Sequence, residues 1–220
     1  DGTDGMIQTD NNLTLNAGAD GTGALKVTGD FRILTTTDND VVDIQSDITG
    51  VDDTSTESIL IDLDTTSNAG GTIKIAGTVD GANAAGGFKT ITLKGTDGVH
   101  LGGALTADHD AAGNNIDIDG PVTLTAALTV DTTANSGTID FSSTIDSGSS
   151  TNHALTLKSA AGSIAVNGVI GGISGNTDIG ALKINDGLSG TGAITLSGIG
   201  ASGRDGVTGT LDIGHTSTSA

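Results

Sequence analysis

The chain contains no cysteine, no tryptophan and no tyrosine. Without cysteine it can form neither a disulfide framework nor a thiolate metal site, so oxidising and reducing compartments both stay open. Three phenylalanines are its only aromatic residues, which excludes the ring-dominated core of most β-sandwiches. The 35% of apolar residues therefore predicts a narrow interior of Ile, Leu, Val and Ala.

Basic residues are also scarce in this sequence. Eight Lys and Arg stand against 27 Asp and Glu, which gives a net charge of -19. Nucleic acid and anionic membranes are therefore not expected as partners, because both attract clustered positive charge. Glu57 is the only glutamate, and the bias towards Asp is typical of turns, where the Asp side chain bonds to nearby backbone. No apolar run reaches the length of a membrane-spanning helix, so no membrane insertion is predicted.

Both ends of the chain are polar. Residues 1–12 form a polar N-terminal segment, and residues 1–10 predict no strand. Residues 214–220 form a Ser/Thr tail that is typical of a linker. The chain starts with Asp1 and lacks the charged and then apolar start of a signal peptide, so we expect a processed product or an excised segment.

One pattern is repeated three times between residues 128 and 200. In each copy two apolar residues flank a polar one, a turn rich in Gly, Asn and Ser follows, and a second such triplet and a closing apolar residue complete the unit. The copies are Leu128, Val130, Ile139, Phe141 and Ile145, then Leu155, Leu157, Ile164, Val166 and Ile170, then Leu182, Ile184, Ile194, Leu196 and Ile199. They start at positions 128, 155 and 182, a period of 27 residues. Such a period predicts a solenoid, whose repeats bury their apolar faces only by stacking.

The triplets alternate apolar and polar residues, which is the periodicity of strands and not of helices. Strands of about three to five residues are too short for an independent sheet, but stacked coils would pair each with its equivalents above and below. We predict an all-β fold, a right-handed parallel β-helix with roughly three strands per coil and about seven to eight coils. It forms one domain over residues 13–213. The left-handed hexapeptide type is not favoured, because its strict short period is absent.

Two stretches do not follow the repeat. Residues 41–58 miss the template and predict a divergent coil, in which the acidic residues 51–54 leave the stack. In residues 107–127 the register is uncertain, because Ile116, Ile118, Val122 and Leu124 come shortly before the next copy begins at Leu128. This stretch forms either a full short coil or two sides of one coil.

Stacking also predicts which side chains share a column. Outside, we expect Asp64, Lys94 and Asp119 in one column and Asp131 beside Lys158 in another, so that opposite charges alternate. Inside, the predicted buried residues are Leu155, Ile164, Val166, Leu182, Ile194 and Leu196. No amphipathic helix is available to cover either end of the coil, so we expect the ends to contact further coils of a longer polypeptide or another copy.

Residues 154–172 have the sequence ALTLKSAAGSIAVNGVIGG, and residues 180–184 have the sequence GALKI. These two sequences resemble the repeats of filamentous-haemagglutinin-type exoproteins, which are large secreted bacterial β-helix adhesins. The resemblance is best over residues 128–200. It implies an extracellular or cell-surface location and a host or cell-surface receptor or glycan as partner. The repeats of that family share no site residues, so none is transferred to this chain.

Asp108, His109 and Asp110 form the only triplet in which a histidine stands between two carboxylates. A β-helix polysaccharide hydrolase or lyase could use such a group in acid/base catalysis, but catalysis also needs a second partner with a shifted pKa. A solvated turn is the favoured interpretation, and no catalytic residue is predicted. The other histidines lack metal-ligand spacing and are expected at the surface; they are His100, His153 and His215.

Residues 200–207 match the calcium-binding nonapeptide of parallel β-rolls except at the second position. That motif binds calcium only in tandem, because successive turns share each ion, and here it stands once, so a structural turn is favoured. Asp205, Asp108 and Asp110 are weak calcium candidates. No cofactor is predicted, and calcium is the one ion left open.

These observations favour a non-catalytic protein over an enzyme. The leading hypothesis is a structural or adhesive rod of a bacterial extracellular or cell-surface fibre, which self-associates end to end or continues in a larger polypeptide. One alternative is a calcium-responsive matrix or surface-layer protein, for which calcium should raise the melting temperature. The second alternative is a β-helix enzyme acting on polysaccharide, which should release reducing sugar from glycans.

Overall fold

The computed structural model describes residues 5–17, 23–37, 39–50, 57–63, 70–81, 87–110, 112–148, 151–172, 178–190 and 192–214. Within these ranges the chain is all β, and its one helical element is a 3-10 turn at Thr133–Asn135. The predicted all-β class is confirmed.

The strands divide into three faces, because most strands pair with the strand three places away along the chain, and those near the C-terminal end pair with the strand two places away. The first face holds β1 (Gly5–Thr9), β4 (Phe31–Thr35), β7 (Glu57–Asp62), β10 (Phe88–Lys94), β13 (Asn115–Asp119), β16 (Thr138–Phe141), β19 (Ile164–Ile170) and β21 (Ile194–Ile199). The second face holds β2 (Leu13–Leu15), β5 (Asp40–Ile44), β8 (Gly71–Ile75), β11 (Gly98–Leu101), β14 (Val122–Leu124) and β17 (Ile145–Ser147). The third face holds β3 (Ala24–Val27), β6 (Asp47–Gly50), β9 (Val79–Gly81), β12 (Leu105–Thr106), β15 (Leu128–Asp131), β18 (Ala154–Lys158), β20 (Ala181–Ile184) and β22 (Leu211–Ile213).

The paired strands are parallel throughout, so the chain winds about seven times around one axis as a β-solenoid. Near its C-terminal end β19 is long enough to pair with β16 and, through Ile170, with β17. This joins the first and second faces into one 14-stranded sheet, while the third face is a separate sheet of eight strands. The predicted parallel β-helix is therefore confirmed, and its right-handedness stays a prediction.

Apolar columns run through the interior behind each face, and we call one of them from each face a core column, three in all. The first contains Ile7, Ile33, Ile61, Leu93, Ile118, Phe141, Val166 and Leu196. The second contains Leu13, Val42, Ile73, Val99, Val122, Ile145, Ile170 and Ile199. The third contains Leu25, Ile48, Val79, Leu105, Val130, Leu157, Ile184 and Ile213. Between its first and last member, no residue of any column is more than 2% exposed.

The strand geometry explains why these columns form. Successive side chains of a strand point to opposite faces, and parallel neighbours lie about 4.8 Å apart, so one inward position repeats directly above the last. Ile and Val suit this arrangement, because their branched side chains pack well on a pleated surface. Burial of each such side chain contributes about 1.5–3 kcal/mol relative to exposure in water. Each turn thus shields the apolar side chains of the turns on either side from water.

The predicted spacing of the repeat is confirmed in the third face. Leu128 pairs with Leu155, and Leu155 pairs with Leu182. Leu182 then pairs with Leu211, which lies 29 residues further along instead of 27. The turns between strands absorb such changes in coil length, so the pairing of the strands themselves is unaffected.

The structure resolves the register of residues 107–127. Ile116 lies in β13 of the first face, and Val122 lies in β14 of the second face. The coil is completed by β15 on the third face, which starts at Leu128. Of the two predicted possibilities, these residues are therefore two sides of one coil.

Two expectations for the N-terminal half differ from the structure. Residues 40–50 form β5 and β6, which take regular positions in the second and third faces, so the divergence expected here is not seen up to Gly50. The expected excursion at residues 51–54 and the tail at 215–220 lie outside the described residues. Gly5–Thr9 form β1 against β4, although no strand was predicted there. Ile7 is its one aliphatic residue in an inward position, which is too weak a periodic signal to detect.

Gly120 shows how tightly successive turns stack. Its φ angle is 125°, in the region that favours glycine, and a Cβ placed there would lie 2.0 Å from the carbonyl oxygen of Gly95 on the previous turn. Any other residue would have to push the two turns apart. This position therefore requires glycine for both its backbone conformation and its close contact.

The predicted inward residues agree with the structure except at the last turn. Leu155, Ile164, Val166 and Leu182 are fully buried. Ile194 and Leu196 also face the core, but they are only half-buried. Leu211 and Ile213 of β22 are 52% and 42% exposed. The reason is that, in the described part of the chain, no further turn covers them.

Replacement of core-column residues tests the inward assignment. Leu157→Ala and Leu182→Ala should each lower the free energy of unfolding by about 2–5 kcal/mol, because each leaves a cavity between turns. Thr156→Ala is the matched control, since Thr156 is the neighbour of Leu157 in β18 but faces outwards. Denaturant unfolding followed by circular dichroism measures the difference. Equal losses in the leucine variants and the control would contradict the assignment.

Candidate functional site

The outward columns contain the charge alternation that the repeat predicts, with one correction. On the first face Lys94 lies between Asp62 and Asp119 on the neighbouring turns, and its Nζ is 3.8 Å from Asp62 Oδ2. The expected partner was Asp64, so the predicted alignment is wrong by two residues at this turn. Three alternating apolar residues of this segment, Ile59, Ile61 and Leu63, are buried. The sequence pattern therefore fits two pairings with the next strand, which differ by two residues.

The second predicted charge pair is confirmed on the third face. Asp131 and Lys158 are direct neighbours in the ladder, and Lys158 Nζ lies 3.8 Å from Asp131 Oδ2. Both side chains are partly exposed, at 37% for Lys158 and 24% for Asp131. A pair of this kind contributes only about 0–1 kcal/mol.

Polar side chains on the first face bond along the rod. Ser142 Oγ donates to Asp119 Oδ1 over 2.5 Å, and Asn167 Nδ2 donates to Asp140 Oδ1 over 3.0 Å. Asp117 pairs directly with Asp140, and burial, followed by the charges of Asp140 and Asp119, raises the pKa of Asp117. These contacts link neighbouring turns, so the outward polar side chains of the first face bond to one another here.

Three carboxylates gather at the end of the third face. Asp80 and Asp131 stand in one outward column, separated by Thr106, and Asp108 follows two residues after Thr106. The pKa of Asp108 is raised by burial and then by the charge of Asp80, and the pKa of Asp80 is raised by burial and by Asp131. Asp108 Oδ1 is buried without a hydrogen-bond partner. It packs so closely on Gly87 that a Cβ there would lie 1.5 Å away.

His109 is anchored inside the rod, contrary to the solvated turn that was expected. It is 6% exposed, and its main-chain oxygen accepts hydrogen bonds from Asn114 Nδ2 at 2.8 Å and Asn135 Nδ2 at 2.6 Å. Its Nδ1 lies 3.5 Å from Oδ1 of Asp110, whose side chain is 72% exposed. The two asparagines hold this corner across neighbouring turns. The geometry is that of a structural corner.

The triplet therefore does not assemble as an acid/base unit. Asp108 interacts mainly with Asp80 and Asp131 on the third face and less with His109, and the ring of His109 is enclosed and lies beside Asp110. General acid/base catalysis requires a titratable group that can reach a substrate proton. The buried imidazole does not meet this requirement.

The calcium candidates are not brought together. Asp205 is exposed in a turn between β21 and β22 of the last coil, whereas Asp108 and Asp110 follow β12, about four turns away. Gly200, Gly203 and Gly206 around Asp205 have φ angles of 72°, 78° and 79°, which supports the interpretation as a structural turn. Among the described residues no group of three or more His, Asp or Glu side chains is placed to hold a metal ion.

A cleft on the second face was not predicted from the sequence. One part has a volume of about 430 Å³ and is lined by His100, Thr123, Thr125, Gly148, Thr151 and His153. It continues into a part of about 250 Å³ lined by Asp43, Lys74, Ile75, Ala76, His100 and Thr125. We call the two parts together the His100 cleft. His100 and His153 were expected at the surface, but only the coil register reveals that they share one depression.

A smaller depression lies on the first face. It has a volume of about 250 Å³ and is lined by Asp30, Phe31, Arg32, Ser58, Ile59, Leu60, Thr90 and Thr92. It covers three turns, and Leu60 contributes an apolar wall. Each depression is lined by three hydroxyl side chains, but the His100 cleft is the longer of the two and adds two imidazole rings.

Comparisons of the chain with known protein families, with curated proteins and with solved structures found no match. In the described ranges, no helix is long and apolar enough to cross a membrane. The function of this chain must therefore be argued from its own geometry.

The carboxylate cluster predicts a specific pH dependence of stability. Folding raises the pKa of Asp108, so the folded state favours the protonated carboxyl group. Below pH 3.8, the ordinary pKa of this group, its contribution to the free energy of unfolding is fully present, and it is lost as the pH rises through the raised pKa. Asp108→Asn, which is neutral at every pH, should therefore raise the melting temperature by a few degrees at pH 7. The difference in melting temperature between this variant and the unmodified chain should disappear as the pH falls towards 3.8.

Thermal melts by circular dichroism across this pH range measure the effect. Asp110→Asn is the matched control, because Asp110 is the neighbouring carboxylate with an exposed side chain, and it should change the melting temperature little. A destabilised Asp108→Asn at pH 7, or a gap that widens on acidification, would contradict the interpretation.

Proposed function

We propose that this chain is a non-catalytic structural or adhesive rod of a bacterial extracellular or cell-surface fibre. The observation that carries the proposal is the continuity of the three core columns from the first described turn to the last. A rod of this kind keeps its strands in register and presents their outward side chains at regular intervals. Such properties suit a spacer or a display surface. The resemblance of residues 128–200 to the repeats of filamentous-haemagglutinin-type exoproteins supports the location and the adhesive role.

The outward columns support a structural role in the same way. Lys158 and Asp131 form an ion pair across neighbouring turns, and Asn167 and Asp140 form a hydrogen bond. These contacts bond the rod to itself. Of the three described groups with raised pKa values, Asp80 and Asp108 lie beside each other on the third face, and Asp117 lies in the ladder of the first face. A rod explains this surface more simply than an active site does.

The terminal turns support association along the axis. Ile7, Leu13 and Leu25 begin the core columns and are half-buried. Leu196 and Ile199 end two of the columns half-buried, and Ile213 ends the third at 42% exposure. At each end of the described chain, three apolar side chains, one from each core column, are thus only partly covered. We call each set of three a terminal triangle. A further turn, from the same polypeptide or from another copy, would bury both triangles and pair the open strand edges.

Charged substitutions on β22 test this association. The chain of 220 residues should elongate with rising concentration, and Leu211→Lys combined with Ile213→Lys should stop elongation, because a charge cannot be buried at such a contact without a partner. Both residues are already exposed, so the variant should keep its melting temperature. Asp212→Ser on the same strand is the control and should still elongate. Light scattering and electron microscopy measure the length.

A compact monomer at every concentration would contradict end-to-end association by this chain. Elongation that is equal in the double lysine variant and in the Asp212→Ser control would also contradict it. In either case the terminal triangles would not be contact surfaces between copies.

A further inference from the structure

The His100 cleft follows the long axis of the rod. Lys74, His100, Thr123 and Asp146 occupy equivalent positions on successive turns of the second face. With about 4.8 Å between neighbouring strands, these side chains extend over roughly 14 Å. Thr125 lies beside this column, and His153 lies where the chain enters the third face. The lining therefore combines side chains from several turns, which suits an extended ligand better than a compact one.

Several polar side chains of the cleft make no hydrogen bond in the part of the chain that the structure describes. These side chains are His100, Thr123, Thr125, Thr151 and His153. On the first face some outward groups bond along the rod, since Ser142 bonds to Asp119 and Thr138 Oγ1 donates to Asn115 Oδ1 over 2.7 Å. What distinguishes the cleft is that it adds two imidazole rings to the hydroxyl groups of several turns.

The chemistry of these groups points to a neutral ligand rich in hydroxyl groups. A Thr hydroxyl both donates and accepts, and a neutral imidazole offers one donor and one acceptor. Burial, followed by the charge of Lys74, lowers the pKa of His100, which keeps this ring neutral at pH 7. A sugar hydroxyl also donates and accepts, so it can satisfy either kind of group.

The charge balance argues against an anionic ligand. The cleft contains one lysine, Lys74, and two nearby carboxylates, Asp43 and Asp146. The whole chain carries a net charge of -19, and a field of that sign repels anions as they approach. A neutral chain of sugars meets no such barrier.

We propose that the His100 cleft binds a neutral oligosaccharide that extends along the axis of the rod. This deepens the adhesive part of the proposed function and rests on it, since it names the chemical class that an adhesive surface of this rod would recognise. Thr123 and Thr125 contact the sugar hydroxyls from the strand side. His100, which lines both parts of the cleft, and His153, which lines the larger part, contact them as well.

Binding to defined sugars tests the proposal. The probes are neutral tetra- to hexasaccharides of the cello, laminari, manno and chito series, with a heparin-derived hexasaccharide as the anionic probe, titrated by calorimetry at pH 7. At least one neutral series should bind. Thr123→Val combined with Thr125→Val, and separately His100→Leu, should weaken that binding roughly tenfold, as expected for the loss of one or two hydrogen bonds.

The matched control is Thr129→Val combined with Thr156→Val. These two residues also face outwards on neighbouring parallel strands, but they lie on the third face and should leave the affinity unchanged. His100→Gln, which keeps a donor and an acceptor, should recover part of the loss seen in His100→Leu. Melting temperatures show that each variant is folded.

Three results would overturn the proposal. They are no binding of any neutral series at millimolar concentration, binding of the heparin-derived probe alone, and equal affinity in the cleft variants and the third-face control. None of them affects the elongation of the rod, which is measured without sugar. Failure of the cleft and failure of end-to-end association are therefore separate outcomes.

Discussion

The stacking of one inward apolar position on the next is the constraint on which the rest of this structure depends. A single turn buries nothing alone, because its strands are only a few residues long and its Ile, Leu and Val side chains need neighbours on both sides. Eight such residues in each core column satisfy this need without aromatic rings, apart from Phe141 in the first column. The tight turns follow from the same constraint, since Gly120 must approach Gly95 more closely than any side chain allows.

The constraint leaves the outward positions free to differ between faces. The first face uses them for contacts such as Asn167 with Asp140, and the third face uses them for ion pairs such as Asp131 with Lys158. The second face contains a cleft whose hydroxyl and imidazole groups are uncommitted in the described chain. A rod whose faces differ in this way fits the proposed function, in which two faces act as a scaffold and the second recognises a ligand.

Much of the fold could be predicted from the sequence because inward and outward residues differ so strongly in polarity. The alternation around Leu155 and Leu157 defines both the strand and its buried face. The strand at Gly5–Thr9 could not be recognised, since Ile7 is its one aliphatic residue in an inward position. The column of Lys94 was misplaced because turns of different length allow a shift of two residues without changing the polarity pattern. The His100 cleft could not be predicted, because it joins residues of several turns and depends on the depth of the surface between them.

Formation of a disulfide between neighbouring turns is the most direct test of the in-register stack. The chain has no cysteine, so Thr129→Cys with Thr156→Cys introduces the only thiols. These two positions are paired in the ladder, and a separation of about 4.8 Å lies within the 4.4–6.8 Å that a disulfide spans between Cα atoms. The account predicts rapid oxidation of this pair to an intramolecular disulfide and slow oxidation of Thr129→Cys with Lys158→Cys, which is displaced by two residues. Faster oxidation of the displaced pair would contradict the register and, with it, the core columns.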